Sequence, residues 1–174
     1  MFKKNKAPGE NQITVEMIVK GGDQLEEELY QIIARVWEEE NMSNRWKGAI
    51  IYPTHKKKDA TNCENSRPMA LLDVAYKILA TIIKNRLSVI TERRLGQYQC
   101  GFRKNRSVTD QIFTLKQIMD NSIGQKLPVY MVFIDFKQAY DTAKREKFYE
   151  TMSGLGIPSK YMKLVKMTLK EMDY

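Results

Sequence analysis

Cysteine and histidine are scarce in this chain, with two Cys and one His among 174 residues. Cys63, Cys100 and His55 are too few and too scattered for the four ligands of a zinc site. No run approaches the roughly 18 apolar residues that a membrane span needs, and the polar amino-terminal segment lacks the apolar core of a signal peptide. Free thiols without a secretory signal predict an intracellular protein, nuclear or cytoplasmic, with no membrane partner.

Acidic residues are outnumbered in this chain. Lys and Arg total 29 against 21 Asp and Glu, which gives a net charge of +8. This excess favours a polyanionic partner, and nucleic acid ahead of an acidic membrane. Hydrophobic residues make up 43% of the sequence, which is enough for one domain to bury a core.

The spacing of apolar residues predicts a mainly helical chain. Residues 1–22 are predicted to form an irregular arm, because Pro-Gly and Gly-Gly pairs interrupt it. The apolar run 46–52 predicts a strand that breaks at Pro53, and the polar, basic stretch after it predicts a hairpin or loop. Residues 129–134 show no period-two alternation, which predicts a central strand covered on both sides. Helical spacing predicts helices over 23–41, 73–95, 107 to about 123, 144–154 and 159–172.

The stretch VYMVFIDFKQAYD places a carboxylate, Asp135, directly after the apolar run. A carboxylate in that position needs solvent, a cation or a metal ion to compensate its charge. A hard cation such as Mg²⁺ takes oxygen ligands, often one carboxylate together with substrate phosphates and water. With a basic surface for phosphates, the pattern suits phosphoryl transfer. Taken alone, it is more often an aspartate that caps the following turn.

Four segments occur in an order that closely resembles the reverse transcriptase domain of non-LTR (LINE-like) retrotransposons. They are KAPGENQI, the stretch from WKGAIIYPTHKKK to NSRPMALLDVAYKIL, YQCGFRKNRS and MVFIDFKQAYD. The later stretch LGIPSKYMKLVKMTLK is similar to the family's next helical part. The resemblance therefore runs nearly from end to end, and four ordered motifs are far more specific than any one of them.

The resemblance implies an α+β fold and an amino-terminal fragment of a right-hand polymerase. Residues 23–127 would form a mostly helical fingers-like region with a small β hairpin, preceded by the arm at 1–22. Residues 128–174 would form the first strand and helices of the palm and stop before the family's Asp-Asp hairpin. The half-covered strand at 129–134 would leave an open sheet edge, through which we expect self-association.

The same resemblance assigns a nucleotide site. Asp135 matches the first metal-binding, catalytic aspartate, and the backbone carbonyl of Phe136 would join it. Tyr140 matches the aromatic residue that packs under the incoming sugar. Lys56 and Arg67 match residues that hold the triphosphate, and their chemistry fits, because Arg offers a planar fork and Lys a point charge to phosphate oxygens.

Basic residues of two loops would contact the template backbone. The resemblance and the charge pattern assign this sequence-independent role to Lys57, Arg103, Lys104 and Arg106. For Arg103 an equally weighted alternative is an ion pair with an acid of the palm, in a purely structural role.

The implied activity is Mg²⁺-dependent (or Mn²⁺-dependent) addition of dNTPs to a DNA primer on an RNA template. The sequence contains no Asp-Asp pair. We therefore expect weak metal binding and no polymerase activity from these residues alone. One alternative is a catalytically dead RNA- or DNA-binding remnant. Another is a doubly wound α/β domain with Asp135 as phospho-acceptor, for which one central strand is too few.

Overall fold

The computed structural model describes residues 3–55, 59, 65–136, 139–140 and 142–170. Its helices and one two-stranded antiparallel sheet confirm the α+β class. The chain divides into two compact units, unit 1 (Met1–Leu87 with Ile157–Tyr174) and unit 2 (Ser88–Gly156). In chain order the elements are α1 (Val15–Lys20), α2 (Gly22–Glu39), a 3₁₀ turn (Asn44–Trp46), β1 (Ile50–His55), β2 (Ser66–Leu71), α3 (Val74–Glu92), α4 (Val108–Gln125), α5 (Arg145–Gly154) and α6 (Ser159–Lys170).

Side-chain caps explain where two of the helices begin. The Ser107 hydroxyl accepts a hydrogen bond from the Thr109 N–H at 3.0 Å, which starts α4 at the predicted position. The Thr14 hydroxyl accepts from the Met17 N–H at 3.2 Å and starts α1. The prediction of a wholly irregular arm over 1–22 is therefore wrong, because α1 is too short to show a helical period in the sequence.

The predicted hairpin is present as β1 and β2, whose connecting residues lie mostly outside the described ones. The predicted strand over 46–52 is shifted, because a 3₁₀ turn occupies its start and β1 continues through Pro53. Pro53 lies opposite Pro68 in the register. A strand accepts proline where the missing N–H would face away from its partner, and both strands of a two-stranded sheet are edges.

The core of unit 1 is formed by α2, α3 and α6. Leu79 of α3 and Leu164 of α6 are completely buried. The Tyr76 hydroxyl donates a hydrogen bond to the Thr168 carbonyl at 3.2 Å and so joins α3 to α6. Other buried side chains in this unit are Ile33, Val36, Met42, Val74, Ile83, Ile157 and Val165.

An ion-pair cluster joins the end of α2 to α6. The Lys163 ammonium lies 3.0 Å from a carboxylate oxygen of Glu40, and Lys160 lies 3.6 Å from the other. Hydrogen bonding by Lys163 holds the pKa of Glu40 below its ordinary value. Glu40 is the C-cap of α2 and has a left-handed φ of 53°, so the cluster lies at the turn that ends this helix.

The arm docks on the start of α3 through Gly9. Gly9 is buried, and the Asn11 N–H donates to an Asp73 carboxylate oxygen at 3.3 Å. A Cβ atom on Gly9 would lie 2.5 Å from the Asp73 backbone nitrogen and 2.6 Å from the Leu72 carbonyl carbon. Backbone atoms cannot move aside as a flexible side chain can, so this contact requires glycine.

Gly9→Ala is therefore expected to destabilise the chain by about 1–3 kcal/mol through overpacking. Gly124→Ala is the matched control, because a Cβ there meets nothing within 4 Å and Gly124 lies in α4. Alanine is the better helix former, so the control should gain up to about 1 kcal/mol. Urea unfolding followed by circular dichroism measures both, and equal effects of the two substitutions would contradict the docking.

The prediction of a strand over residues 129–134 is wrong, because these residues have no regular secondary structure. A strand needs a partner for its N–H and C=O groups, and the only ladder among the described residues is that of β1 with β2. The side chains are not covered either, since Tyr130 is 93% exposed and Val132 85%. Self-association stays a prediction, but it now rests on exposed apolar side chains rather than on a sheet edge.

Helix α4 also exposes its apolar side chains. It has no buried residue, and Ile112 and Phe113 are each about three-fifths exposed at 62% and 60%.

None of the helices in the described part of the chain is long and apolar enough to cross a bilayer.

Candidate nucleotide and nucleic-acid binding residues

The Asp135 carboxylate is exposed in unit 2, at the end of the apolar segment. No hydrogen bond or ion pair joins it to another of the described residues, so an arginine does not neutralise it. Its oxygens and the Phe136 carbonyl are the donor type that a hard cation prefers. The described residues contain no group of three or more His, Cys, Asp or Glu that could hold a metal. The chemistry of Asp135 fits Mg²⁺, but the residues that the structure describes do not complete its ligand set.

The aromatic residues around Asp135 are open to solvent. Phe136 is 73% exposed and Tyr140 81% exposed. The Tyr140 ring is therefore not a core residue within the described part of the chain, and it is free to contact a ligand. Lys137, Gln138 and Asp141 lie outside the described residues.

The predicted triphosphate ligands belong to unit 1. Arg67 lies in β2, opposite Thr54 of β1, and it is exposed. Lys56 and Lys57 lie outside the described residues. Arg67 and Asp135 belong to different units, so their joint action stays a prediction.

Arg103 holds the loop that follows α3. Its Nε and Nη2 atoms donate to the Glu92 carboxylate at 3.2 and 2.6 Å, and Nη1 donates to the Gly96 and Gln99 carbonyls at 2.6 and 2.9 Å. Its side chain is only 6% exposed. These contacts favour the structural alternative for Arg103, although Glu92 belongs to the predicted fingers-like region rather than to the palm.

Arg103 and Glu92 also stabilise each other's charged forms. Hydrogen bonding by Arg103 holds the pKa of Glu92 below its ordinary value of 4.5, and the nearby Arg106 adds a smaller attraction. The same hydrogen bond raises the pKa of Arg103. Both groups are therefore charged at neutral pH, and the fork geometry of the guanidinium fixes the loop in one arrangement.

A second contact ties this loop to α4. Cys100 is buried, and its sulfur accepts a hydrogen bond from the Gln111 side-chain nitrogen at 3.0 Å. We call residues 93–107 the basic loop, because they contain five Lys or Arg residues and no Asp or Glu. Lys104 and Arg106 are exposed on it. The loop therefore presents four cations to solvent, Arg93, Arg94, Lys104 and Arg106, while Arg103 faces inward.

Sequence reasoning gave no role to two aromatic residues of the basic loop. Phe102 is fully exposed and has a left-handed φ of 60°, and Tyr98 is 83% exposed. The sequence signal is an aromatic residue between basic ones. The backbone conformation that displays Phe102 leaves no mark in the sequence, because glycine or asparagine is the usual residue there.

Comparison with known proteins places the chain in a family. The model of the family described as reverse transcriptase (RNA-dependent DNA polymerase) matches residues 55–173. A probable RNA-directed DNA polymerase from transposon BS of Drosophila melanogaster is 32% identical over 82% of the chain. An uncharacterised 149 kDa protein of transposon TX1 from Xenopus laevis is 21% identical over 93%. The chain spans only 16% and 12% of these two relatives. It belongs to the reverse transcriptase family of RNA-dependent DNA polymerases.

Proposed function

We propose that the chain is part of the RNA-directed DNA polymerase of a mobile element of the non-LTR class. Within it, the basic loop contacts the template, and Asp135 and Arg67 serve the incoming dNTP. The observation that carries the template-binding role is the composition and exposure of the basic loop. It has five basic residues and no acidic ones, and Lys104 and Arg106 are exposed on a backbone held by Arg103.

The nucleotide roles follow from charge and geometry at each residue. Asp135 and the Phe136 carbonyl would hold a divalent cation, which when bound neutralises phosphate charge and orients the triphosphate. The exposed Arg67, with Lys56, would bind phosphate oxygens. The exposed Tyr140 ring would pack under the sugar, where a flat ring crowds a 2′-hydroxyl and favours deoxynucleotides.

One observation favours the non-enzymatic alternative. Among the described residues Asp135 belongs to no group of three or more His, Cys, Asp or Glu that could hold a metal, whereas the contacts that hold the basic loop need no metal. A chain that binds RNA through that loop alone would behave as a nucleic-acid-binding remnant. The two functions share the loop and differ in their dependence on Asp135 and the other residues of the nucleotide site.

The salt dependence of RNA binding tests the loop. The double variant Lys104→Ala, Arg106→Ala is expected to bind single-stranded RNA more weakly and with a shallower dependence on salt. Each lost phosphate contact lowers the slope of log K against log salt by about 0.7, so the double variant should lose about 1.4. Fluorescence anisotropy over a salt series measures this.

Lys116→Ala is the matched control, because Lys116 is exposed on α4 outside the basic loop. It removes the same net charge per substitution as either loop variant. The proposed template contact is wrong if Lys116→Ala reduces the slope as much as Lys104→Ala does alone.

A further inference from the structure

Phe102 is displayed to solvent by a backbone conformation that its side chain disfavours. The side chain is 100% exposed, and its φ is 60°. Bulky non-glycine residues rarely adopt this left-handed conformation, and they persist in it only when their surroundings hold them there. An exposed ring also gains no burial energy that would offset the strain. Neither local propensity nor packing within unit 2 accounts for phenylalanine at this position.

The contacts that hold Phe102 in place come from the next residue. The guanidinium of Arg103 is turned inward to Glu92 and to the carbonyls of Gly96 and Gln99. The Gln99 side-chain nitrogen donates to the Gly101 carbonyl at 3.3 Å and fixes the residue on the other side. With Gly101 and Arg103 both held, the intervening Phe102 side chain points away from the loop.

A second ring is held open on the same loop. Tyr98 is 83% exposed, and its ring lies against the backbone of Gly96. A Cβ atom on Gly96 would lie 2.7 Å from Cζ of that ring, so a side chain there would push the ring away. The loop thus exposes two aromatic rings, Phe102 and Tyr98.

The charge of the loop identifies the ligand of these rings. Exposed aromatic residues among cations, with no acidic residue between positions 93 and 107, suit a polyanion that carries flat apolar groups. Single-stranded nucleic acid has both, since unpaired bases stack on aromatic side chains while Lys and Arg follow the phosphates. In a duplex the bases already stack on one another, so the rings could not reach their faces.

We infer that Phe102, with Tyr98, is a stacking platform for unpaired bases, and that Arg103 is the positioning residue that presents it. This inference rests on the proposed template-binding function of the basic loop and names the form of its ligand, single-stranded nucleic acid. Lys104 and Arg106 contact phosphates and give the affinity its salt dependence, whereas the rings contact bases and do not.

Anisotropy with the full chain and a 12-nucleotide single-stranded RNA tests the platform. Phe102→Ala is expected to bind about 5- to 150-fold more weakly, which is the effect of losing one base–aromatic stack. Phe102→Leu, which keeps an apolar side chain without a flat ring, should also bind weakly, and Phe102→Trp should bind as well as the parent. The salt slope of Phe102→Ala should equal that of the parent, and its affinity for duplex RNA should not change.

Phe102→Gly distinguishes a loss of RNA affinity from a loss of folding stability. Glycine adopts a positive φ without strain, so this variant should show an equal or higher thermal midpoint and yet lose affinity. A lower midpoint would mean that the ring packs against the protein and would overturn the inference. A parent dimer that Phe102→Ala dissociates without changing RNA affinity, seen by sedimentation, would also overturn it.

Arg103→Lys tests the positioning role. Lysine keeps the charge but cannot make the forked contacts to Glu92 and the two carbonyls. With an RNA that carries 2-aminopurine, the parent should quench the base fluorescence by stacking, and Arg103→Lys should quench it less while keeping the salt slope. Undiminished quenching would contradict the role.

Two results distinguish failure of this inference from failure of the proposed function. If Phe102→Ala binds like the parent while the Lys104 and Arg106 double variant loses affinity and slope, the platform is wrong and the template-binding function stands. If neither variant differs from the Lys116→Ala control, both are wrong.

Discussion

A polypeptide of these 174 residues is expected to incorporate no dNTP above background on an RNA template with a DNA primer and Mg²⁺. Two-metal nucleotidyl transfer needs carboxylates that converge on ions about 4 Å apart. The sequence has no Asp-Asp pair, and the described residues contain no metal-binding cluster around Asp135. Each 1.36 kcal/mol of lost transition-state stabilisation costs about tenfold in rate, and metal ions supply several kcal/mol. The expected loss is therefore several orders of magnitude.

The control for this assay is an active reverse transcriptase in the same mixture, which shows that template, primer and ions are competent. Steady incorporation by the purified 174-residue chain, abolished in Asp135→Asn, would contradict the expectation.

Binding of dNTP then separates the two candidate functions. Mg²⁺-dependent binding that is lost in Asp135→Asn and kept in Arg103→Ala supports the polymerase role, and RNA binding indifferent to Asp135 supports the remnant.

Helices could be predicted from the sequence because their signals are local. Apolar spacing located α3, α5 and α6 within a few residues, and Ser107 marked the start of α4. Each of these features depends on residues three or four positions apart, whose side chains meet on one helix face. The signal for the hairpin is equally local, since a polar stretch between two short runs of strand-forming residues is enough to indicate a hairpin.

Burial could not be predicted in the same way, because it depends on distant partners. The apolar run 129–134 predicted a covered strand, yet Phe133 is 79% exposed and Ile134 76%. Helix α4 likewise has no buried residue, although its apolar side chains fall at helical spacing. A pattern shows that a surface is apolar, but a strand also needs another segment to receive its hydrogen bonds.

In the candidate site, too, local features could be predicted from the sequence, whereas contacts between distant residues could not. The resemblance identified Asp135 as a metal ligand and Arg67 as a triphosphate ligand; the structure exposes both side chains, and their roles stay predictions. It left two alternatives for Arg103, and neither named Glu92, a glutamate in the last turn of α3. Glu92 lies eleven residues from Arg103, so only the path of the loop between them brings the two charges together. Phe102 could not be singled out either, since its φ is a property of that path.

Leu164→Ala is expected to destabilise unit 1 by about 2–5 kcal/mol, the usual cost of truncating a buried leucine. Leu164 of α6 is completely buried, as is Leu79 of α3, in the core that α2, α3 and α6 form. Domains of this size are stable by only about 5–15 kcal/mol, so one such cavity removes a large part of the total.

Leu169→Ala is the matched control on the same helix, because Leu169 is 36% exposed and the same atoms are removed. Urea unfolding should show a much lower midpoint for Leu164→Ala than for Leu169→Ala, with the same dependence on denaturant in both. Because both substitutions replace Leu by Ala on the same helix, the difference between them reports mainly the loss of burial. Equal midpoints would mean that α6 does not pack into the core of unit 1, and the arrangement of α2, α3 and α6 would then be wrong.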